Sequence, residues 1–307
     1  MPRPLRSMAF QPIGAAEVRG CGQRAPPGAT AHQAMKVIRG KKAVVTGAAS
    51  GIGQAIALAL AREGSDLYLV DIDEVNLAAT VREAQQFGVT VVARKCDLAQ
   101  PNEITASVDA LLSAWGKLDI LVNNAGVAYY GSTNEMAAEQ WNRLLAVNLL
   151  APIQLMRELL PTLLAGDDAH ILNVSSVFGL MPLRKAAAYQ ACKFGLVGLS
   201  AALRAEYARE IGVTVLCPGF VRTPMLRTFE TGHAGQRRHN IPSWACTTPQ
   251  AVGSAAVRAI RRNKGLVLIG PMARIVWWIT RLSPGLVDWL AREGWRRGPR
   301  LRGKRDQ

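Results

Sequence analysis

The sequence has little of what builds disulfide-rich or zinc-binding domains. Its 307 residues include five cysteines and four histidines, which are scattered without a Cys-x-x-Cys pair or a metal-ligand spacing. This scarcity argues against a disulfide scaffold and against a zinc site, and it favours a reducing compartment such as the cytoplasm. We therefore expect a functional site that uses no metal ion.

Acidic residues are scarce at both ends of the chain, and the net charge is +15. Residues 1–42 carry eight Lys or Arg and one Glu, and residues 258–307 carry thirteen Lys or Arg and three acidic residues. The region between them is near neutral, with a small excess of acidic residues. No basic stripe is interleaved with aromatic side chains, and no nucleic-acid-binding motif is present, so we expect no nucleic-acid partner.

Residues 1–40 are rich in Pro, Gly, Ala and Arg and lack sustained apolar periodicity. We interpret them as a disordered basic extension, with Met35 at the start of a more ordinary segment. No continuous apolar core follows the basic residues, which argues against a secretory signal. An organelle transit peptide remains an alternative for this Arg-rich leader.

Residues 271–307 form a second unusual segment, which contains four of the seven tryptophans and ends in a basic tail. No uncharged apolar run in it reaches the ~18–20 residues that a membrane span requires. Tryptophan and arginine on amphipathic helices favour peripheral contact with an anionic membrane surface. The alternative is that this segment packs on a neighbouring subunit or caps the substrate pocket.

Short apolar runs alternate with longer amphipathic stretches from Lys42 onward. This alternation predicts a parallel sheet with helices on both faces, and the nearly uninterrupted apolar strands are typical of such a buried sheet. We expect a single Rossmann-type doubly wound α/β domain over 41–270, with a predominantly parallel seven-stranded sheet and a helical C-terminal extension. The predicted strands cover 43–47, 67–71, 89–97, 118–126, 169–176, 213–219 and 265–270, and the predicted helices cover 51–63, 74–87, 101–115, 138–165 and 187–210.

The first predicted strand runs into a glycine-rich loop, Thr46 to Gly53, with the sequence TGAASGIG. Such glycines let a backbone turn tightly and approach a pyrophosphate at the N-terminus of the next helix. A tight strand–helix turn without a nucleotide would also explain them.

Asp71 ends the second predicted strand, where a carboxylate can accept hydrogen bonds from the adenosine ribose and would repel a 2′-phosphate. The glycine loop contains no Lys or Arg, and Ile72 follows Asp71 where a phosphate-binding base would sit. We therefore expect NAD(H) rather than NADP(H) as the cofactor. The alternative is that Asp71 is a solvated loop carboxylate.

Over about residues 41–225 the chain resembles the short-chain dehydrogenase/reductase family. The resemblance rests on motifs that occur in order at the family's intervals: TGAASGIG, Asp97, the Asn-Asn-Ala-Gly run that begins at Asn123, Asn148, NVSS at 173–176, Tyr189 with Lys193, and PGFVRT at 218–223. It implies catalytic roles for Asn148, Ser176, Tyr189 and Lys193. It implies cofactor contacts for Gly47, Ala49, Ser50, Gly51, Ile52, Gly53, Asp71, Asp97, Leu98, Asn124, Ala125, Gly126, Tyr189, Lys193, Pro218, Gly219, Val221 and Thr223.

Tyr189 and Lys193 are four residues apart, so they share one face of a helix. We expect the ammonium to lower the pKa of Tyr189 toward the working pH. Tyr189 would then act as general base in alcohol oxidation and as general acid in ketone reduction.

The resemblance further implies that Ser176 polarises the carbonyl, with Ser175 as the second choice. It also implies that Asn148 holds a water molecule that links Lys193 to solvent, and that Lys193 binds the nicotinamide ribose. Cys192 is one departure, because the family commonly has Ser there; we expect it to affect packing more than catalysis.

The resemblance places substrate entry near a mobile segment at 223–247. Apolar residues there and nearby favour a lipophilic alcohol or ketone, and we expect a dimer or tetramer assembled through the helices near 138–165 and 187–210. Alternatives are an NADP(H)-dependent carbonyl reductase, an NAD(H) sensor without turnover, and a membrane-surface scaffold. The candidate wall residues are Met225, Leu226, Phe229, Ile241 and Trp244 in the segment, with Phe178, Met181, Leu183, Tyr129 and Tyr130 outside it.

Overall fold

The structure is a computed structural model and describes residues 35–223, 230–231 and 246–283, together with Gly285 and Trp289. The predicted extension over residues 1–34 and most of the segment after residue 283 lie outside the described residues. The same holds for five of the predicted substrate-wall residues, Met225, Leu226, Phe229, Ile241 and Trp244.

Seven parallel strands form the central sheet, in the order β7-β6-β5-β4-β1-β2-β3. This confirms the doubly wound α/β fold, and every strand pair in the sheet is parallel. The inner strands read as unbroken apolar runs because helices cover both of their faces. The strands are β1 (Lys42–Thr46), β2 (Asp66–Asp71), β3 (Val91–Lys95), β4 (Ile120–Asn123), β5 (Ala169–Val174), β6 (Ile211–Pro218) and β7 (Leu266–Ile269).

Helices pack on both faces of the sheet and enclose two apolar cores. One core lies between the sheet and α1, α2 and α6, and the other lies between the sheet and α3, α4 and α5. The helices are α1 (Gly51–Arg62), α2 (Glu74–Gln85), α3 (Pro101–Trp115), α4 (Ala138–Leu164), α5 (Ala187–Glu206), α6 (Pro249–Arg261) and α7 (Pro271–Leu282).

Helix α4 contains one π-helical turn, Ala146–Leu150, with Asn148 at its centre. By length and composition α4 is apolar enough to cross a membrane. Leu155, Leu159 and Leu163 are buried in the core beneath the sheet, which marks α4 as a core helix. Its Leu150 and Ile153, with Phe194 on α5, are exposed; assembly through these helices stays a prediction.

The described chain joins the apolar core before residue 40. Met35 and Ile38 are fully buried in the core that contains α1. The predicted boundary of the extension at residue 40 is therefore several residues too late.

Strand β1 lies between β2 and β4, so the chain leaves β1 in one direction across the sheet and returns on its other side. In doubly wound folds ligands bind at this reversal, outside the carboxyl ends of the strands. Thr46, Asn123 and Val174 end three neighbouring strands. The motifs of the sequence analysis therefore converge on one edge of the sheet.

Candidate active site

The glycine-rich loop connects β1 to α1 in a conformation that requires glycine. Gly47 and Gly51 have φ angles of 65° and 60°, in the left-handed region that other residues rarely adopt. A Cβ on Gly47 would lie 2.8 Å from the Cα of Ala125 and 2.8 Å from Nδ2 of Asn124. The loop therefore packs directly against the Asn-Asn-Ala-Gly turn.

Thr46 connects these two loops. Its hydroxyl oxygen accepts hydrogen bonds from the backbone N–H groups of Asn124 (3.0 Å) and Ala125 (3.1 Å). The hydroxyl also donates to the carbonyl of Val122 at 3.3 Å. In return, the Asn124 side chain donates to the carbonyl of Thr46 at 2.9 Å. Thr46 is not among the predicted site residues, although its position directly before the first glycine of the loop was the available signal.

Asp71 sits at the carboxyl end of β2, beside the glycine loop. Its carboxylate accepts from the backbone N–H of Ala49 at 2.9 Å and from that of Asp73 at 3.0 Å. These bonds fix the carboxylate at the edge of the crevice, while the neighbouring Ile72 is exposed. Asp71 is thus more than a solvated loop residue, because it is tied to the loop itself.

Asp97 and Leu98 follow β3. The Asp97 carboxylate accepts from the backbone N–H of Ala99 at 3.0 Å and lies 3.4 Å from Arg143 of α4. Leu98 is buried in the core on that face of the sheet.

Ser176 and Tyr189 come together at the carboxyl end of β5. Ser176 acts on the Tyr189 hydroxyl to lower its pKa, and the Ser176 oxygen accepts from the backbone N–H of Phe178 at 3.2 Å. Lys193 lies one helical turn beyond Tyr189, with Nζ 5.7 Å from the centre of the tyrosine ring. The three side chains predicted to act together are therefore neighbours.

Lys193 is buried, and its Nζ donates to the carbonyl of Val174 at 3.0 Å. Burial lowers the pKa of Lys193 to about 8, because it disfavours the charged form. Near neutral pH, Lys193 is therefore mostly protonated, with a minor neutral fraction.

The prediction of a lowered tyrosine pKa is wrong for this structure. Burial raises the pKa of Tyr189 to about 12, against the lowering effect of its hydrogen bond with Ser176. The loss of hydration of the phenolate outweighs any benefit from Lys193, whose Nζ is directed to a backbone carbonyl. At neutral pH Tyr189 is a phenol that can donate its proton.

Asn148 ties α4 to the Asn-Asn-Ala-Gly turn. Its side chain donates to the carbonyls of Val127 and Leu144, both at 2.9 Å, and accepts from the N–H of Val127 at 3.2 Å. These bonds engage the carboxamide with the backbone, so the predicted water link through Asn148 stays a prediction.

Gly126 brings Asn148 and Lys193 close together. A Cβ at this position would lie 2.6 Å from Oδ1 of Asn148 and 3.6 Å from Nζ of Lys193. Any larger residue at 126 would therefore displace the Asn148 side chain.

The two candidate serines differ in what they contact. Ser175 is buried and donates to the backbone carbonyl of Lys193 at 2.9 Å, which fastens α5 to β5. Ser176 instead lies near Tyr189, whose pKa it lowers. The geometry favours Ser176 as the residue that would contact a substrate.

Cys192 and Cys217 are buried beside this site, and burial raises the pKa of Cys192 to about 11 and that of Cys217 to about 12. Both thiols are therefore protonated and inert near neutral pH. Cys192 packs in a small core with Tyr129 and Tyr189, which agrees with the packing role expected for it.

The loop after β6 borders the same edge. Gly219 donates to the carbonyl of Ile269 at 2.9 Å, Val221 is buried and Thr223 is partly exposed. Phe178 meets Phe220 edge to face, with ring centres 5.8 Å apart. Two wall candidates, Tyr129 and Tyr130, pair with residues 230–231 in a short parallel strand contact.

These residues fit a dinucleotide. The N-cap residue of α1, Ser50, makes no side-chain capping bond, which leaves the first N–H groups of the helix available to an anion. The fixed carboxylate of Asp71 stands one strand away, where an adenosine ribose would lie. A nicotinamide at the opposite end of the crevice would meet Tyr189 and Lys193.

Comparison with known proteins identifies the class. Residues 41–234 match the family described as short chain dehydrogenase. The chain is 33% identical to SadH of Mycobacterium tuberculosis over 256 residues, which cover 81% of this chain and 92% of SadH. It is 35% identical over 192 residues to the cyclohexanol dehydrogenase of an Acinetobacter species, covering 62% of this chain and 76% of that enzyme.

A solved short-chain dehydrogenase/reductase from Burkholderia phymatum, in complex with NAD, has a TM-score of 0.73 and 29% identity, covering 81% of this chain and 95% of that one. The chain therefore belongs to the short-chain dehydrogenase/reductase family of oxidoreductases. A similar metagenomic member, with 32% identity and a TM-score of 0.64, holds NADP instead. Relatives of this fold thus use either nicotinamide cofactor.

The two hydrogen bonds that Thr46 accepts predict a measurable stability effect. Thr46→Val removes the acceptor and leaves two inner N–H groups unsatisfied, which we expect to lower the free energy of unfolding by roughly 2–4 kcal/mol. Thr46→Ser keeps the oxygen and should cost only about 1 kcal/mol for the lost methyl group. Urea unfolding of both variants measures the difference, and equal losses would show that the hydroxyl does not hold the turn.

Proposed function

We propose that this protein transfers a hydride between NAD(H) and the alcohol or ketone group of a lipophilic substrate, with Tyr189 as the proton donor and acceptor. The observation that carries the proposal is the placement of Lys193, which is buried with its Nζ 5.7 Å from the centre of the Tyr189 ring and held by the carbonyl of Val174, at the end of the strand that leads to Ser176. Family membership supports the reaction class, and the positions of Ser176, Tyr189 and Lys193 support the roles assigned to them.

In the direction of reduction, the substrate carbonyl oxygen would accept hydrogen bonds from Ser176 and Tyr189. Ser176 polarises the carbonyl, and Tyr189 gives its proton to the oxygen as the hydride arrives at carbon. The bound nicotinamide supplies or takes up the hydride. Because burial holds the pKa of Tyr189 high, the resting side chain carries the proton that reduction needs.

Oxidation requires the reverse movement, in which Tyr189 accepts the alcohol proton. The nearby ammonium of Lys193 stabilises the phenolate in that step, and its buried position brings it to both the tyrosine and the expected ribose. Lys193 is fixed by Val174, and α5 is fastened to β5 through Ser175. These contacts hold Tyr189 in a fixed position before the substrate binds.

The apolar surroundings support a lipophilic substrate. Phe178 lies next to Ser176 and packs edge to face on Phe220, and Tyr129 packs in the small core that includes Tyr189. Cyclohexanol dehydrogenase, a relative, bears the name of an apolar cyclic alcohol. A secondary alcohol on an apolar skeleton is the substrate class we propose.

The choice of NAD(H) rests on Asp71. A 2′-phosphate would place a second negative group near a carboxylate that Ala49 and Asp73 already hold in place. At about 4 Å, such a repulsion is worth about 4 kcal/mol with an effective dielectric constant near 20.

The activity itself can be tested with purified protein, NAD⁺ or NADP⁺, and a panel of secondary alcohols that includes steroids and long-chain hydroxyacyl compounds. We expect turnover with NAD⁺ that rises with pH up to about 8, because Tyr189 must lose its proton to act as base, and that rises less steeply above pH 8, where Lys193 loses the charge that stabilises the phenolate. Tyr189→Phe should lower the rate by about 10²–10⁴-fold while NAD⁺ still binds. Absorbance of the reduced nicotinamide follows the reaction.

Two results would contradict this assignment. NAD⁺ binding without turnover of any alcohol would favour the sensor alternative. Turnover that Tyr189→Phe leaves intact would remove Tyr189 from the chemistry.

Cofactor choice has its own test. Asp71→Asn with Ile72→Arg removes the repelling charge and adds a phosphate-binding base, while the amide oxygen still accepts from Ala49. We expect the ratio of kcat/KM for NADP⁺ to that for NAD⁺ to rise by about 10–100-fold. The single variants serve as matched controls, each giving a smaller shift. A wild-type protein that uses both cofactors equally would refute the role given to Asp71.

A further inference from the structure

Helix α7 exposes an apolar face that the proposed reaction does not use. Ile275, Trp278 and Leu282 are 53%, 56% and 76% exposed. Their spacing of three and then four residues places them on one side of the helix. Large apolar side chains grouped on a surface in this way mark a site of contact rather than scattered exposure.

The opposite side of α7 holds the helix on the protein. Ala273 is fully buried, and Val276 and Trp277 are partly buried. The Trp277 ring meets Trp278 edge to face at 4.9 Å and lies 5.2 Å from the Arg281 guanidinium. Ala273 and the contacts of α7 with β7 and with the turn Val177–Gly179 attach the helix to the fold.

The charged residues of α7 are all basic. Arg274 and Arg281 are exposed beside the apolar face, and α7 contains no acidic residue. The sequence that follows, residues 283–307, carries seven Lys or Arg against three acidic residues. An apolar stripe flanked by arginines, with tryptophan among its members, is the pattern of helices that lie in the interface of anionic bilayers.

We propose that this face, formed by Ile275, Trp278 and Leu282, docks the protein on an anionic phospholipid surface. A second copy of the chain is a poorer occupant because it would bring two positively charged regions together. Three partly exposed side chains also offer a few hundred Å² at most, against the roughly 800 Å² per partner of a stable protein interface.

The position of α7 links docking to the site. The helix begins directly after β7, at the carboxyl edge of the sheet, and contacts the short turn Val177–Gly179 that follows Ser176. Docking would therefore bring the substrate end of the crevice near the lipid. This consequence rests on the proposed function, whereas lipid binding does not.

Flotation of the full-length protein with vesicles tests the docking without any measurement of activity. One vesicle preparation contains phosphatidylcholine alone, and the other adds phosphatidylserine. We expect association with the phosphatidylserine vesicles and much less with phosphatidylcholine. Trp278→Ser should weaken the vesicle partition coefficient by about tenfold, and Arg274→Gln with Arg281→Gln should also weaken it by about tenfold.

Matched controls come from exposed residues elsewhere on the fold. Val75→Ser removes an exposed apolar side chain from α2, and Arg82→Gln with Lys117→Gln removes two exposed charges; none of these should change the partition. Circular dichroism and NAD(H) binding of each variant show that it is folded.

Three outcomes would overturn the proposal. In the first, the wild-type protein floats with neither vesicle preparation. In the second, Trp278→Ser binds as well as the wild type, which would leave only an ionic attraction of the basic tail. In the third, sedimentation shows a self-association that Trp278→Ser abolishes, which would assign this face to a second copy. Loss of enzyme activity with intact lipid binding would bear on the proposed function alone.

Discussion

The burial of Lys193 at the carboxyl edge of a parallel sheet is the constraint on which the candidate site depends. An ammonium in that position needs a fixed acceptor, which the carbonyl of Val174 at the end of β5 provides. It also needs room, which Gly126 provides by carrying no side chain beside Lys193 and Asn148. These contacts fix the end of β5, the Asn-Asn-Ala-Gly turn and the first half of α5 relative to one another. Together these segments position Tyr189.

Much of the fold follows from local pattern. Uninterrupted apolar runs form β1, β2, β4, β5 and β6. Their side chains can all be buried only in a sheet that helices cover on both faces. The amphipathic stretches between them have the length of crossover helices. The spacing of Tyr189 and Lys193 likewise predicts that they share a helix face. These features depend on continuous apolar runs and on a period of about four residues, both of which are visible in the chain itself.

Other features depend on contacts between distant segments and could not be predicted in this way. The raised pKa of Tyr189 reflects the loss of water around its hydroxyl, which distant elements of the fold bring about and no local spacing encodes. The carboxamide of Asn148 is engaged with Val127, a partner set by the packing of α4 against the strand ends. Thr46 bridges two loops whose contact arises only when β1 and β4 pair. The burial of Met35 and Ile38 in the core also depends on contacts with distant segments, so it could not be predicted from the local sequence.

The central claim is that Ser176, Tyr189 and Lys193 form a site for hydride transfer rather than for cofactor binding alone. The most direct measurement uses reduced NAD carrying deuterium at the transferable position of the nicotinamide, with the ketone of any alcohol that the protein accepts. Mass spectrometry of the alcohol product then locates the label. The account predicts one deuterium on the carbinol carbon with the wild-type protein, and negligible labelled product with Ser176→Ala. An alcohol product without deuterium, or labelled product formed equally well by Ser176→Ala, would contradict it.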